Sequence, residues 1–192
     1  MCGGQTCSFL LITSKNCFLF SEFIQVVLRE HMANYTTHLQ EGQKAPAFKA
    51  KNQEGEWVQL ADFKGKKVIL YFYPKDDTPG CTNQACNLRD NYALLKKKGY
   101  VVLGVSADEE KKHVKFIKKY NLPFQLLADV DKKIITTYDV WGEKHFMGRT
   151  FDGIVRTTFI IDEQGIIEKI IKDVNTKEHT GQILDLTPNP SR

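Results

Sequence analysis

Two cysteines, Cys81 and Cys86, stand five positions apart behind the stretch Tyr71-Phe-Tyr-Pro-Lys-Asp-Asp-Thr-Pro-Gly. Thr78-Pro79-Gly80-Cys81 reads as a helix start, with Thr78 at the N-cap and Pro79 at the first helical position. Cys81 then falls in the first turn, where free backbone N–H groups and the positive end of the helix dipole favour thiolate over thiol. At a separation of five, the two Cα atoms on an intact helix lie roughly 8–9 Å apart and about 140° apart around the axis. A disulfide requires about 4.4–6.8 Å. The pair therefore bridges only if the first turns unwind, which suits a redox switch better than a structural staple.

Ionisation alone makes a poor catalyst. A thiol with the ordinary pKa of about 8.5 is only about 3% ionised at pH 7. Lowering that value also lowers nucleophilicity, along a slope of about 0.4–0.5, so the net gain is a few-fold. Most of the rate must come from aligning the substrate and stabilising charge on its leaving atom.

The string Pro74-x-x-x-Thr78-x-x-Cys81 resembles the peroxiredoxin signature, and Tyr71-Phe-Tyr-Pro-Lys through Cys86 is similar to the Q-type (bacterioferritin comigratory protein) subfamily. The likeness continues through Leu88-Arg89-Asp90, Leu103-Gly104-Val105-Ser106, Trp141-Gly142-Glu143-Lys144 and Gly153 to Asp162, covering about 39–185. It implies a thioredoxin-like fold and a thiol-dependent peroxidase that reduces hydrogen peroxide and organic hydroperoxides. By the same resemblance Cys81 is the peroxidatic cysteine and Cys86 the resolving one. Thr78 hydrogen-bonds the peroxide, Pro74 shields the sulfur and Arg156 steadies the thiolate and the departing oxygen. The product is an intramolecular disulfide that thioredoxin or a similar dithiol reduces, with no cofactor and no metal. Resolution within one chain leans to a monomer.

Two other readings compete. A thiol–disulfide oxidoreductase on the same fold would normally carry Cys-x-x-Cys, whereas four residues intervene here. A copper-binding module would need a histidine converging on the pair, for which His145 is the loop candidate.

The elements that must position these residues follow from periodicity. Ala47–Lys51 and Trp57–Leu60 alternate around Asn52-Gln53-Glu54-Gly55, a hairpin pattern, and Asp62 to Gly65 makes a turn. Val68–Tyr73 and Tyr100–Val105 are continuous runs of the kind found in strands buried on both faces. One helix is expected from Pro79 to Lys98, closed by Gly99. Ser106 with Glu109 suggests a capping box for a helix to Tyr120, whose apolar face would be Val114, Phe116 and Ile117. A short strand Gln125–Ala128 and a short helix at about Lys132–Tyr138 follow, then a long loop, Trp141–Gly153. Ile154–Ile161 and Ile166–Ile171 flank a turn at Asp162–Gly165, and a last helix spans Lys177–Leu186. The expected class is α/β, a mixed central β-sheet flanked by helices. Its crevice lies at the carboxyl ends of the parallel strands, where the Pro74–Cys81 loop falls.

Over 192 residues, 42% apolar and 26% charged residues allow one well-buried domain. A net charge of +4, with acids interleaved among Lys96-Lys97-Lys98, Lys111-Lys112 and Lys118-Lys119, argues against a nucleic-acid surface. The other cysteines, Cys2, Cys7 and Cys17, crowd one end rather than forming a secreted disulfide framework, so a reducing cytoplasm is the expected setting. Ser8–Ile12 lacks a basic flank, and Cys17–Leu28 is too short and polar to span a membrane. Residues 1–31 read as an extension, spurious or disordered, with Met32 as the true start and a leader segment as the alternative. The domain is placed at 39–187 and a tail at 188–192.

Overall fold

In a computed structural model the described residues are 37–146 and 149–186, all within the unit Tyr35–Arg192. The expected extension at 1–31 and tail at 188–192 lie outside them. Nine strands are described: β1 Lys49–Asn52, β2 Trp57–Gln59, β3 Lys67–Phe72, β4 Tyr100–Ser106, β5 Gln125–Ala128, β6 Trp141–Phe146, β7 Arg149–Ile154, β8 Thr157–Ile161 and β9 Ile167–Ile171. The helices are α1 Pro79–Asp90, α2 Tyr92–Lys97, α3 Glu110–Tyr120, α4 Lys133–Thr137 and α5 His179–Leu186. Seven strands form one mixed sheet in the order β2-β1-β5-β4-β3-β8-β9, while β6 and β7 pair separately.

The central strand β3 carries the site. It runs parallel to β4 and antiparallel to β8, so its backbone is hydrogen-bonded on both sides. Successive side chains of a strand point to opposite faces, and β3 divides accordingly. Val68, Leu70 and Phe72 join one core with Ile134, Ile135 and Tyr138. Ile69, Tyr71 and Tyr73 join the other, which also holds Cys81, Ala85, Leu88, Phe116 and Ile183 from the helices. Alternation along one strand thus seals both layers and delivers the chain, at Tyr73, to the foot of α1. Opposite Tyr71 on β4 stands Gly104, where an added Cβ would meet the Tyr71 ring at 2.7 Å and Leu126 at 2.6 Å. Only glycine lets that aromatic ring lie across the strand.

The hairpins at 49–59 and 157–171 match the periodicity, although the strand expected over Ile154–Ile161 is divided, Ile154 ending β7 and β8 beginning at Thr157. Four further expectations need correction. The helix expected over 79–98 is two helices. Asn91 leaves helical geometry (φ −105°, ψ 10°) while its side-chain amide donates to the Asn87 carbonyl at 2.8 Å, competing with the next backbone bond. The capping box is absent. Ser106 ends β4, its hydroxyl accepts the Asp108 N–H at 3.1 Å, and α3 begins only at Glu110. On α3 the inner face is rotated from the one expected: Val114 is exposed, and fully buried His113 takes the place beside Phe116. The loop expected over 141–153 is the β6–β7 ribbon, with Gly142 facing Gly153. Two opposed glycines remove the side-chain alternation by which a strand is recognised.

Candidate active site

The chain leaves β3 through Pro74, half-buried, and enters a loop fastened at two acids. The Asp76 carboxylate is buried, accepts the Tyr73 hydroxyl at 2.6 Å and faces His113 Nδ1 at 2.8 Å. The Asp76 N–H donates to Asp108 Oδ2 at 2.8 Å. Burial pushes the Asp108 carboxyl up, but the Asp76 N–H, Lys112 and Ser106 outweigh it and hold it below the ordinary range. Asp77 adopts a left-handed conformation (φ 57°) and turns its carboxylate onto Lys119 Nζ at 2.7 Å and the Tyr120 hydroxyl at 2.6 Å. Those two partners lower its carboxyl. Both acids therefore stake the loop to α3.

Thr78 follows in extended geometry (φ −91°, ψ 150°), and Pro79 opens α1. The Thr78 hydroxyl makes no cap bond; it donates to the Lys75 carbonyl at 3.1 Å, inside the loop. Thr78 is thus the N-cap by position, while its carbonyl accepts the Thr82 N–H at 2.8 Å.

One turn into the helix, Cys81 is 2% exposed and its thiol is free. Arg156, from the short segment joining β7 to β8, reaches it with Nη2 at 3.3 Å from Sγ. Its Nη1 donates to Gln84 Oε1, one helical turn beyond Cys81 on the same face. The guanidinium is thereby held by a fork, one arm on the sulfur and one on the amide. Gly80 gives it room, since a Cβ there would lie 3.3 Å from Nη2. Cys86 is free and half-buried farther along α1.

Other ionisable groups ring this point. Burial, then the fields of Asp76 and Cys81, push the Tyr71 hydroxyl well above its usual range, and Arg156 opposes them. Burial, then Arg156, lower the Lys144 amine, whose Nζ donates to the Ile154 carbonyl at 2.8 Å. Burial, then Gln182 against it and Arg156 with it, bring His179 down to about 4.

Cys81, Thr78, Pro74 and Cys86 occupy one loop–helix segment, and Arg156 is brought to Cys81 across 75 positions of chain. Gln84, Gly80, Asp76, Asp77 and His113 were not anticipated. Gln84 had a detectable signal, a polar residue three positions from Cys81 on the inner face of a helix. Asp76 and His113 had none, being 37 positions apart. The side chain of His145 lies outside the described residues.

Residues 41–170 match the AhpC/TSA family. The peroxiredoxin Bcp of Escherichia coli strain K12 is 49% identical over 147 residues, 77% of this chain and 94% of that protein. The peroxiredoxin Bcp of Bacillus subtilis strain 168 is 46% identical over 143 residues, 74% of this chain and 91% of that protein. Among solved structures, the bacterioferritin comigratory protein of Xanthomonas campestris, studied for alkyl peroxide reduction, superposes with a TM-score of 0.70. It is 29% identical, covering 76% of this chain and 96% of that one. The α/β architecture is therefore the thioredoxin-like fold of peroxiredoxins, and the activity is that of a thiol-dependent peroxidase acting on hydroperoxides. The chain belongs to the AhpC/TSA family, in its Bcp, or Q-type, peroxiredoxin branch. Among the described residues, no helix is long and apolar enough to cross a membrane.

Proposed function

We propose that Cys81 is the peroxidatic cysteine and Cys86 its resolving partner, and that the oxidised chain is reduced by thioredoxin or a similar dithiol. The observation that carries this reading is the Arg156 fork, which sets one cationic donor 3.3 Å from the Cys81 sulfur and the other on Gln84. A donor so held lies where negative charge resides in the thiolate and where it develops as the O–O bond breaks.

In the first step the Cys81 thiolate attacks the terminal peroxide oxygen. An S–O bond forms, the O–O bond breaks, sulfur loses two electrons, and the leaving oxygen takes a proton to depart as water or an alcohol. The hydroxyl of Thr78, now on Lys75, turns to the peroxide, and Pro74 limits water at the sulfur. The first two turns of α1 then unwind. The Cys86 thiol displaces hydroxide from the Cys81 sulfenic acid, the thiol proton leaves with it as water, and an S–S bond closes. Among the described residues Cys86 is the one free cysteine besides Cys81, and it lies on the same helix, which makes it the resolving candidate. Two electrons and two protons from the external dithiol restore both thiols.

The mechanism needs no second subunit, and the proposed state is a monomer in the cytoplasm. The domain of 39–187 is proposed as the whole catalytic unit, with 1–31 dispensable. Deleting 1–31 should leave peroxide turnover within about two-fold, and a loss beyond ten-fold would count against that boundary.

Peroxide stoichiometry tests the cysteine roles. Cys81→Ser should consume no peroxide. Cys86→Ser should consume one equivalent and stop at sulfenic acid, which a dimedone adduct on Cys81 would report. Normal turnover of Cys86→Ser with a thioredoxin system would remove Cys86 from the resolving role.

A further inference from the structure

Cys86 is followed at once by the most heavily tied residue of α1. The Asn87 side-chain amide donates to the Lys177 carbonyl at 2.7 Å, and its Oδ1 accepts the Thr180 N–H at 2.8 Å. Its carbonyl accepts the Asn91 side chain at 2.8 Å and the Thr180 hydroxyl at 3.3 Å. Thr180 is the second residue of α5, where a helix N–H has no partner within its own helix. Asn87 supplies that partner from another helix and so caps α5. Beyond it, Leu88 is fully buried and Arg89 donates to the Tyr120 carbonyl at 2.7 Å. The first turns of α1 have a different support. Their side chains Cys81 and Gln84 are tied to Arg156, a single residue outside the helix.

From this contrast, and resting on the Cys81–Cys86 pairing proposed above, we infer that Asn87 is a positioning residue that stops the unwinding of α1 at Cys86. Disulfide closure needs the backbone between the two sulfurs to be released and nothing more. Releasing the helix past residue 87 would uncap α5, expose Leu88 and leave the Tyr120 carbonyl without the Arg89 donor, opening the core beneath the site. Asn87 confines the change to the segment that the chemistry requires, and it leaves Cys86 attached to a fixed base while Cys81 is brought to it.

Residue-resolved amide exchange of the full chain tests this, with the Cys81–Cys86 bridge first verified by peptide mapping. In the reduced protein Ala85 and Cys86 donate to carbonyls one turn back. On oxidation by one equivalent of hydrogen peroxide their exchange should accelerate by at least about 10-fold, whereas Thr180 and Asn91 should stay within about two-fold. A bridged sample in which Thr180 opens as far as Cys86 would overturn the inference alone. A sample with no bridge would overturn the pairing, and the inference with it. Asn87→Ala should speed Thr180 exchange about 10-fold, and it should lower the Tm of the oxidised chain more than that of the reduced chain. In the reduced chain the Arg156 ties still support α1; in the oxidised chain they are gone. Asn87→Asp keeps the acceptor for the Thr180 N–H and should restore the protection. Equal Tm losses in both redox states, or no rescue by the aspartate, would reduce Asn87 to a structural role and refute the proposal.

Discussion

The two sides of the Cys81 site are held in opposite ways. The loop before it, Pro74 to Thr78, is staked by buried and charged groups. Asp76 is gripped by Tyr73, His113 and Asp108, and Asp77 by Lys119 and Tyr120. In the helix after it Cys81 and Ala85 pack in the core, but the hydrogen bonds of Cys81 and Gln84 to another element run through one guanidinium. A fixed loop preserves the geometry a peroxide would meet, and a lightly held helix can release its first turns once the sulfur has reacted. Low local stability belongs where a segment must move, and a network of buried partners belongs where it must not.

The comparison breaks most sharply at Arg156, the residue outside α1 to which both Cys81 and Gln84 are hydrogen-bonded. Arg156→Met keeps the length of the side chain and removes both donors. The second-order rate with peroxide should fall about 10²–10³-fold, as for loss of one preorganised donor. Stopped-flow kinetics beside an unchanged far-UV spectrum would check it, and a loss under ten-fold would assign the charge stabilisation elsewhere.

Stability should divide the same way. Asp76→Ala leaves a buried histidine and a buried tyrosine hydroxyl without their acceptor and should cost about 3 kcal/mol. Gln84→Leu removes one bond from an amide whose Nε2 already lacks a partner among the described residues, and should stay within about 1 kcal/mol of neutral. Urea melts of the reduced proteins measure both. If Gln84→Leu proved the more damaging, the helix would be the rigid side and the comparison would invert.

A further expected effect comes from pH. His179 donates or accepts at Thr158 Oγ1, 3.0 Å away, and burial brings it down to about 4 from an ordinary 6.5. The unfolded chain therefore binds a proton on this residue at higher pH than the folded chain does. Stability should be full above about pH 6.5 and decline between about 6.5 and 4, by up to about 3 kcal/mol. His179→Gln should flatten that part of the profile in urea melts taken across the range. A parental profile already flat there would show that α5 does not bury an ionisable group at its start.

Much of this was readable along the chain because it is local. A Pro-Gly-Cys segment after a β-branched run specifies a strand end, a loop and a helix start through backbone preferences that need no distant partner. The i, i+5 spacing fixes the angular separation of the two sulfurs through helix geometry alone. The sheet was legible for the same reason, since Val68–Tyr73 and Tyr100–Val105 are apolar on both alternations. Where a side chain outside the element decides, the reading failed. His113 turns inward on α3 because Asp76 waits in the core, and a polar residue at that position defeats any search for an apolar stripe. Asn91 divides a run of good helix formers with one side-chain bond. The β6–β7 ribbon exists through pairing of two segments with each other, with glycines where alternating side chains would have announced it.

By itself, then, the sequence determined the chemistry available: a thiol at a helix start, a second thiol behind it, and the strand that presents them. Tertiary structure decided what that thiol faces. Arg156 lies 75 positions from Cys81, and Asn87 holds a helix 93 positions away, contacts that no local spacing encodes. Helix periodicity is set by bonds four residues long, whereas the meeting of distant side chains is set by how two cores pack on the faces of one sheet.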